Sequence, residues 1–255
     1  MPSWDPAQYA KFGDYRLRPA LDLIGRIPDL HPQRIVDLGC GPGEITEIMA
    51  GRWPGAEVVG LDSSPEMLKK AQALKGRARY LEGDVGRWVA EPKVDLLFSN
   101  ACLQWLADHD RLFPRLVQQV ASGGTIAIQM PHNHDQPSHR IIARLSEEAP
   151  FKAPLAGKLR HDPVASPDTY WRLLKPLVAR LDIWEIDYLQ ALTGDDPVLA
   201  WTTGTALRPV LDALDETLRP QFVERYRDGL RAAYPREEEG STLFPFRRLF
   251  ILAER

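Results

Sequence analysis

Cysteine is scarce in this chain: Cys40 and Cys102 are the two present in 255 residues, and they form no CxxC pair. That count excludes a disulfide-stapled scaffold and a cysteine-rich zinc module, and it fits a reduced, cytoplasmic protein. No segment approaches the roughly 20 apolar residues of a bilayer span, so no membrane segment is expected. The opening MPSWDPAQYAKFGDYRLRP has no apolar core of the secretory type, so no leader is expected either. Positive charge is not in excess. Lys and Arg total 32 against 35 Asp and Glu, a formal net charge of −3, which argues against a nucleic-acid partner. Internal repeats and long low-complexity tracts are missing. What remains is an ordinary globular composition, 44% hydrophobic and 26% charged, in a length ample for one α/β domain.

Residues 6–26 read as an amphipathic helix interrupted at Pro19. RIVDLGCGPGE is a buried strand ending in a tight turn, and ITEIMAGRW is a helix with Ile45, Ile48 and Met49 on one side. AEVVGLDSS is a second strand. PEMLKKAQALK is a helix capped by Ser64 with Pro65 at its first position. ARYLEGDV and the very apolar VDLLFSNACLQW are strands three and four. LFPRLVQQV is a helix, and GTIAIQM is strand five after a Gly123–Gly124 turn. Such alternation builds a parallel sheet covered on both faces, with ligands outside the carboxyl ends of the strands.

Beyond Met130 the alternation ends. Residues 167–180 and 195–233 read as helical, LDIWEIDYLQAL as a strand and FRRLFILAE as a last strand. The expectation is one domain over 1–255. Its core covers about 30–130, 166–194 and 241–255, and helical cap insertions occupy about 131–165 and 195–240.

The first strand ends Asp37-Leu38-Gly39-Cys40-Gly41-Pro42-Gly43. Glycines there let backbone turn tightly and approach a ligand closely. Two nucleotide cofactors use such loops. A dinucleotide fingerprint needs G-x-G-x-x-G, but here position 44 is Glu, and an acid at a helix start competes with a pyrophosphate for the same positive end. S-adenosylmethionine has no phosphate and carries a sulfonium, with which an acid such as Asp37 is compatible. Asp62, with Ser63 beside it, closes strand two, where a carboxylate can accept from both ribose hydroxyls. Asp84 closes strand three, where it can accept from an adenine amino group. Each acid alone reads equally well as a cap or turn residue; three at successive strand ends point to a nucleoside.

VDLGCGPGE, GLDSSPEML, YLEGDV and VDLLFSNACLQWL together resemble the successive motifs of class I S-adenosylmethionine-dependent methyltransferases. The resemblance implies a Rossmann-like, doubly wound, seven-stranded α/β sheet whose last strand is antiparallel. It also implies that Gly39, Gly41 and Gly43 line the methionine and ribose, that Asp62 holds the ribose, and that Asp84 with Val85 holds adenine. Asn100, with Gln104 and Trp105, would face the methionine. WDPAQYAKFGDYRLRPALDLI, SNACLQWL and IAIQMPHNHDQPSH are similar to the trans-aconitate 2-methyltransferases, a family that forms a monomethyl ester at one carboxylate of trans-aconitate.

A carboxylate acceptor is already ionised at neutral pH. It needs orientation and desolvation rather than a general base, so no catalytic residue is obligatory and no metal is expected. Spare carboxylates call for Arg forks. The candidates are Arg18 in the N-terminal helix and Arg140, Arg160, Arg208 and Arg247 further on, with His132, His134 and His161 as added donors and Trp201 as a pocket wall. Arg16 is a candidate for the methionine carboxylate of the cofactor, and Trp4, Tyr9 and Phe12 for a lid over it. A lone Arg is more often a solvated surface residue; Trp4, Tyr9 and Phe12 read equally as packing of the helix on the sheet, and aromatics of the C-terminal half are mostly core or cap packing. The expected partner is a small carboxylate acid, with no membrane, no obligatory protein partner and a monomeric state. The alternatives are a malonyl carrier thioester as acceptor, N- or C-methylation, a cofactor sensor without turnover, and an NAD-dependent oxidoreductase.

Overall fold

A computed structural model describes residues 17–158 and 164–255. The chain forms two compact units. The first contains residues up to 131, 163–185 and 248–255; the second contains 132–162 and 186–247. Residues 186–194 and 241–247, counted with the core in the sequence reading, cluster with the second unit.

One seven-stranded sheet runs in the order β3-β2-β1-β4-β5-β7-β6. Its strands are β1 (Arg34–Leu38), β2 (Glu57–Asp62), β3 (Arg79–Glu82), β4 (Val94–Asn100), β5 (Val120–Pro131), β6 (Arg180–Leu192) and β7 (Thr242–Glu254). The first five pair in parallel, with Leu38 opposite Leu61 and Asn100 opposite Gln129. β7 pairs antiparallel with β5, placing Phe250 opposite Gln129. This is the expected doubly wound class with an antiparallel strand contributed by the chain's end. Its reversal at β1/β4, where the order turns from β3-β2-β1 to β4-β5, opens a crevice at the carboxyl ends.

The helices α1 (Arg18–Arg26), α2 (Glu44–Arg52), α3 (Pro65–Ala73), α4 (His109–Gln119) and α7 (Pro167–Leu174) belong to the first unit. Val36, Leu97, Phe113, Ile126, Tyr170 and Ile251 are among its buried core residues. Full burial of each such side chain contributes about 1.5–3 kcal/mol. α3 begins as expected, with Ser64 Oγ accepting from Met67 N at 3.3 Å.

Pro19 lies in the first turn of α1, where a missing N–H costs nothing; residues 6–16, the other side of the expected interruption, lie outside the described residues. On α2, Met49 is buried together with Thr46 and Ala50, and Ile45 and Ile48 are half-buried. One local expectation needs correction. Gly123–Gly124 is no turn before β5: the strand starts at Val120, and its register against β4 shifts between Val94 and Leu96. A bulge of this kind uses glycine. Gly123 has φ +76°, and a Cβ on Gly124 would lie 2.9 Å from the carbonyl oxygen of Asp95.

The second unit is mainly helical, with α5 (Pro137–Ser146), α6 (Lys152–Leu155), α8 (Pro197–Thr203), α9 (Arg208–Ala213) and α10 (Leu218–Ala233). Phe151, Leu207, Phe222, Tyr226 and Phe244 form its own core. α10 packs on α5 through Gly229, where a Cβ would lie 3.0 Å from Ile141 Cγ2. Two tyrosines satisfy the start of α5: Tyr234 Oη accepts from Ser138 N at 3.1 Å, and Tyr226 Oη donates to Ser138 O at 3.2 Å.

Candidate functional site

The glycine loop follows β1 and turns into α2. Gly39, Gly41 and Gly43 all have positive φ, at +75°, +54° and +85°, which explains why three glycines stand here. Gly39 N and Cys40 N both donate to Leu61 O, at 2.7 and 3.0 Å, tying the loop to β2. A Cβ on Gly39 would fall 2.2 Å from Cys102 Sγ. One on Gly43 would fall 2.6 Å from Tyr80 Oη and 2.7 Å from Ala71 Cβ.

Asp62 braces the same loop. Its Oδ2 accepts from Gly41 N at 2.8 Å and its Oδ1 from Ser64 N at 2.9 Å. A carboxylate has about four lone-pair directions, so two remain for a ligand's hydroxyls. The residue is half-buried, and Ser63 beside it is exposed. Asp37 is only 2% exposed, and its Oδ2 accepts from Thr46 Oγ1 at 2.7 Å. It therefore fastens β1 to the first turn of α2. Burial raises its carboxyl to about 7 despite the Thr46 bond, and the negative charge of Asp62 adds to the rise. Burial likewise raises the thiol of Cys102 to about 12 and pushes that of Cys40 up still further. Both are packing groups rather than nucleophiles.

Asp84 ends β3's trailing loop in an exposed position. Its Oδ1 accepts from Gly86 N at 2.8 Å, and Oδ2 lies 3.6 Å from Arg87 Nε. Val85 is buried, and its carbonyl accepts from Arg115 Nη2 at 2.9 Å.

After β4 the backbone bends sharply, with Ala101 at φ +53°, a strained value for a residue with a Cβ. Two buried acceptors flank this bend. Asn100 Oδ1 and Gln104 Oε1 have no hydrogen-bond donor among the described residues, while Gln104 Nε2 donates to Ala101 O at 2.7 Å. Buried orphan acceptors are costly unless a ligand donor meets them. The short helical turn Leu103–Trp105 is held by buried His109, whose Nε2 donates to Leu103 O at 2.9 Å. That fixes the tautomer, so Nδ1 accepts from Tyr170 Oη at 2.5 Å. Trp105 remains 52% exposed at the end of this turn.

The first unit thus brings together the glycine loop and the acids and amides at the ends of β2, β3 and β4. Of the carboxylate-holding candidates, Arg18 is exposed on α1. Within the second unit, Arg140 is exposed, and Arg208 is exposed with Asp212 at 3.9 Å. Arg247 donates its fork to Asp187 through Nε at 2.9 Å and Nη2 at 3.0 Å. His132 is half-buried, and its backbone N donates to Arg247 O at 3.0 Å. Trp201 packs edge-on against Phe244 and Phe246, at 6.2 and 6.0 Å between centroids. Arg16, Arg160, His161, Trp4, Tyr9 and Phe12 lie outside the described residues. A cavity of about 700 Å³ in the second unit lies among Asp196, Arg227, Arg231 and Tyr234, none of them a residue singled out from the sequence.

Sequence reasoning missed Tyr80, Thr46 and His109. Tyr80 Oη donates to Glu47 Oε1 at 2.8 Å and also lies 3.2 Å from Gly43 O. Its phenol is pushed far up by burial and by Glu47. The only available signal was an aromatic residue opposite glycines at 43 and 60.

The model of a methyltransferase domain matches residues 36–128. The chain is 47% identical over 264 residues to the trans-aconitate 2-methyltransferase of Streptomyces avermitilis, covering 100% of this chain and 98% of that protein. It is 43% identical to that of Azoarcus sp., covering 100% of both. Among solved structures, the YcgJ protein of Bacillus subtilis superposes with a TM-score of 0.60 at 12% identity, over 93% of this chain and 99% of that one.

Proposed function

The chain belongs to the trans-aconitate 2-methyltransferases, and on that footing we propose that it methylates one carboxylate oxygen of trans-aconitate, releasing a monomethyl ester. Its cofactor is S-adenosylmethionine, which supplies an electrophilic methyl group on a cationic sulfonium. The observation that carries the reading is the pairing of two orphaned buried acceptors, Asn100 Oδ1 and Gln104 Oε1, with the half-used carboxylate of Asp62. The acceptors suit an ammonium such as that of a methionine moiety. The carboxylate suits a ribose diol. Asp84 and Val85 take the adenine, and Gly39, Gly41 and Gly43 lend their backbone to close approach, with Ser63 and Trp105 at the rim. Asp37 acts on the cofactor through its field and through α2, since Thr46 holds its carboxyl.

The residues that hold the acceptor do not need to remove a proton, because a carboxylate is ionised before it binds. Their work is to orient one oxygen and to keep water from it. Arg18, Arg140 and Arg208 present exposed forks suited to spare carboxylates. Arg160, His132 and Trp201 complete the proposed set, as does Arg247 where its Asp187 pairing yields. Action in the cytoplasm, as a monomer without an obligatory protein partner, belongs to the same proposal.

The test uses S-adenosylmethionine labelled in its methyl group, offered with trans-aconitate, cis-aconitate, citrate, isocitrate and a malonyl carrier. The expected result is label in trans-aconitate that alkali releases as methanol. Label in the malonyl carrier alone, or in no acid, would overturn the substrate assignment.

A further inference from the structure

At the carboxyl end of β5 the structure places hydrogen-bond donors where the neighbouring β4 end offers acceptors. Gln129 is fully buried, and its Oε1 lies 3.5 Å from Nη1 of Arg248, a guanidinium whose residue is only 5% exposed. That contact sets the amide's orientation, because an arginine can only donate. Gln129 Nε2 is then a buried donor with no acceptor among the described residues. The strand registers put these groups on one face of the sheet. Asn100 is opposite Gln129, Gln129 is opposite Phe250, and Arg248 stands two residues from Phe250. Trp184 stacks on Phe250 on this face, 5.1 Å between centroids, and its buried Nε1 is a further donor without an acceptor among the described residues.

We infer that Gln129 and Arg248 form a carboxylate-binding site at the end of β5. A buried cation beside a buried, unmatched amide donor suits an anion with at least two acceptor oxygens. It does not suit the ammonium that Asn100 and Gln104 would take. The carboxylate has two possible sources, a spectator carboxylate of the acceptor or the methionine carboxylate of the cofactor. The first source rests on the proposed reaction; the second does not.

The experiment is isothermal titration calorimetry on the full chain and on Gln129→Leu, Gln129→Glu and Arg248→Lys. One arm titrates trans-aconitate into protein loaded with S-adenosylhomocysteine. The other compares S-adenosylhomocysteine with 5′-methylthioadenosine, which lacks the amino-acid carboxylate. One arm is expected to weaken by about 10-fold or more in Gln129→Leu, the size of a hydrogen bond to a charged group, and further in Gln129→Glu, which sets a like charge against the ligand. Weaker trans-aconitate binding with unchanged S-adenosylhomocysteine assigns the acceptor. Weaker S-adenosylhomocysteine with unchanged 5′-methylthioadenosine assigns the cofactor. A purely structural role predicts the reverse order, because Glu keeps the volume of Gln129 and pairs with Arg248. Affinities within twofold of wild type in both arms, for Gln129 variants that melt like wild type, would overturn the site. If the wild type transfers no methyl group to trans-aconitate, the proposed reaction fails while the cofactor arm still decides the carboxylate site.

Discussion

Asp62→Ala tests two roles of one carboxylate at once. In the protein, Asp62 accepts backbone N–H groups from Gly41 and Ser64 at 2.8 and 2.9 Å. Hydrogen bonds to a charged group contribute about 1.5–3 kcal/mol each. The side chain is half-exposed, so water recovers part of the loss and the lower end applies, giving about 3 kcal/mol for the pair. For a chain of this size each kcal/mol moves Tm by about 2–4 °C, so Tm should fall by roughly 6–12 °C. The two remaining lone-pair directions are those proposed for the ribose hydroxyls. Losing two further charged hydrogen bonds weakens S-adenosylhomocysteine by about 10²–10⁴-fold. Asp62→Asn retains one acceptor oxygen and should fall between wild type and Ala in both readouts. Scanning fluorimetry gives the first quantity and calorimetry the second. Wild type should also prefer 5′-methylthioadenosine over its 2′,3′-dideoxy counterpart, and Asp62→Ala should not. S-adenosylhomocysteine binding within about threefold of wild type in a folded Asp62→Ala protein would refute the ribose role.

Three further outcomes follow from other parts of the site. The carboxyl of Asp37 is raised to about 7 by burial, whereas in the unfolded chain it titrates near 3.9. Between those values the folded protein holds the extra proton, so this group makes stability fall as pH rises from about 4 to about 7. Asp37→Asn, still accepting from Thr46, should lose that part of the slope in Tm measured from pH 5 to pH 8, and an unchanged slope would count against the burial argument. Gly43→Ala should cost about 2–5 kcal/mol, from strain at φ +85° and from overpacking against Tyr80 and Ala71; Tyr80→Phe should not rescue it in thermal melts, because Ala71 Cβ stays at 2.7 Å. Arg140→Ala and Arg208→Ala should each raise KM for trans-aconitate about tenfold or more if their forks hold a carboxylate, with S-adenosylhomocysteine affinity intact; an unaltered KM removes that residue from the proposed set.

The sheet was readable because its strands are short apolar runs closed by glycine or aspartate, and because helix starts such as Ser64-Pro65 carry their own chemistry. The residues gathered at the glycine loop were readable for the same reason: strand ends in a parallel sheet meet along one edge. What escaped were residues whose importance comes from a distant contact. Thr46 looks like a helix-interior filler until Asp37 is seen to need its hydroxyl. His109 looks like a surface residue of α4 until Leu103 O and Tyr170 Oη are seen on its two nitrogens. The β5 bulge was misread as a turn because Gly-Gly signals both, and only the pairing with β4 separates them. Arg247 was one of several candidate forks in the sequence, and the partner that occupies it, Asp187, is 60 residues away.

The ring of Tyr80 has a consequence for how this loop can vary. It occupies the space a Cβ would need at Gly43, with Oη 2.6 Å from that point, and at Gly60, with Cδ1 at 2.8 Å. Positions 43, 60 and 80 are therefore a single steric allotment shared by a loop and two strands. A smaller residue at 80 relieves only part of the crowding at 60, because the Cβ and Sγ of Cys40 also lie 2.9 Å from that point. A side chain at 60 therefore needs smaller residues at both 40 and 80, whereas 43 stays glycine in any case because its φ of +85° demands it.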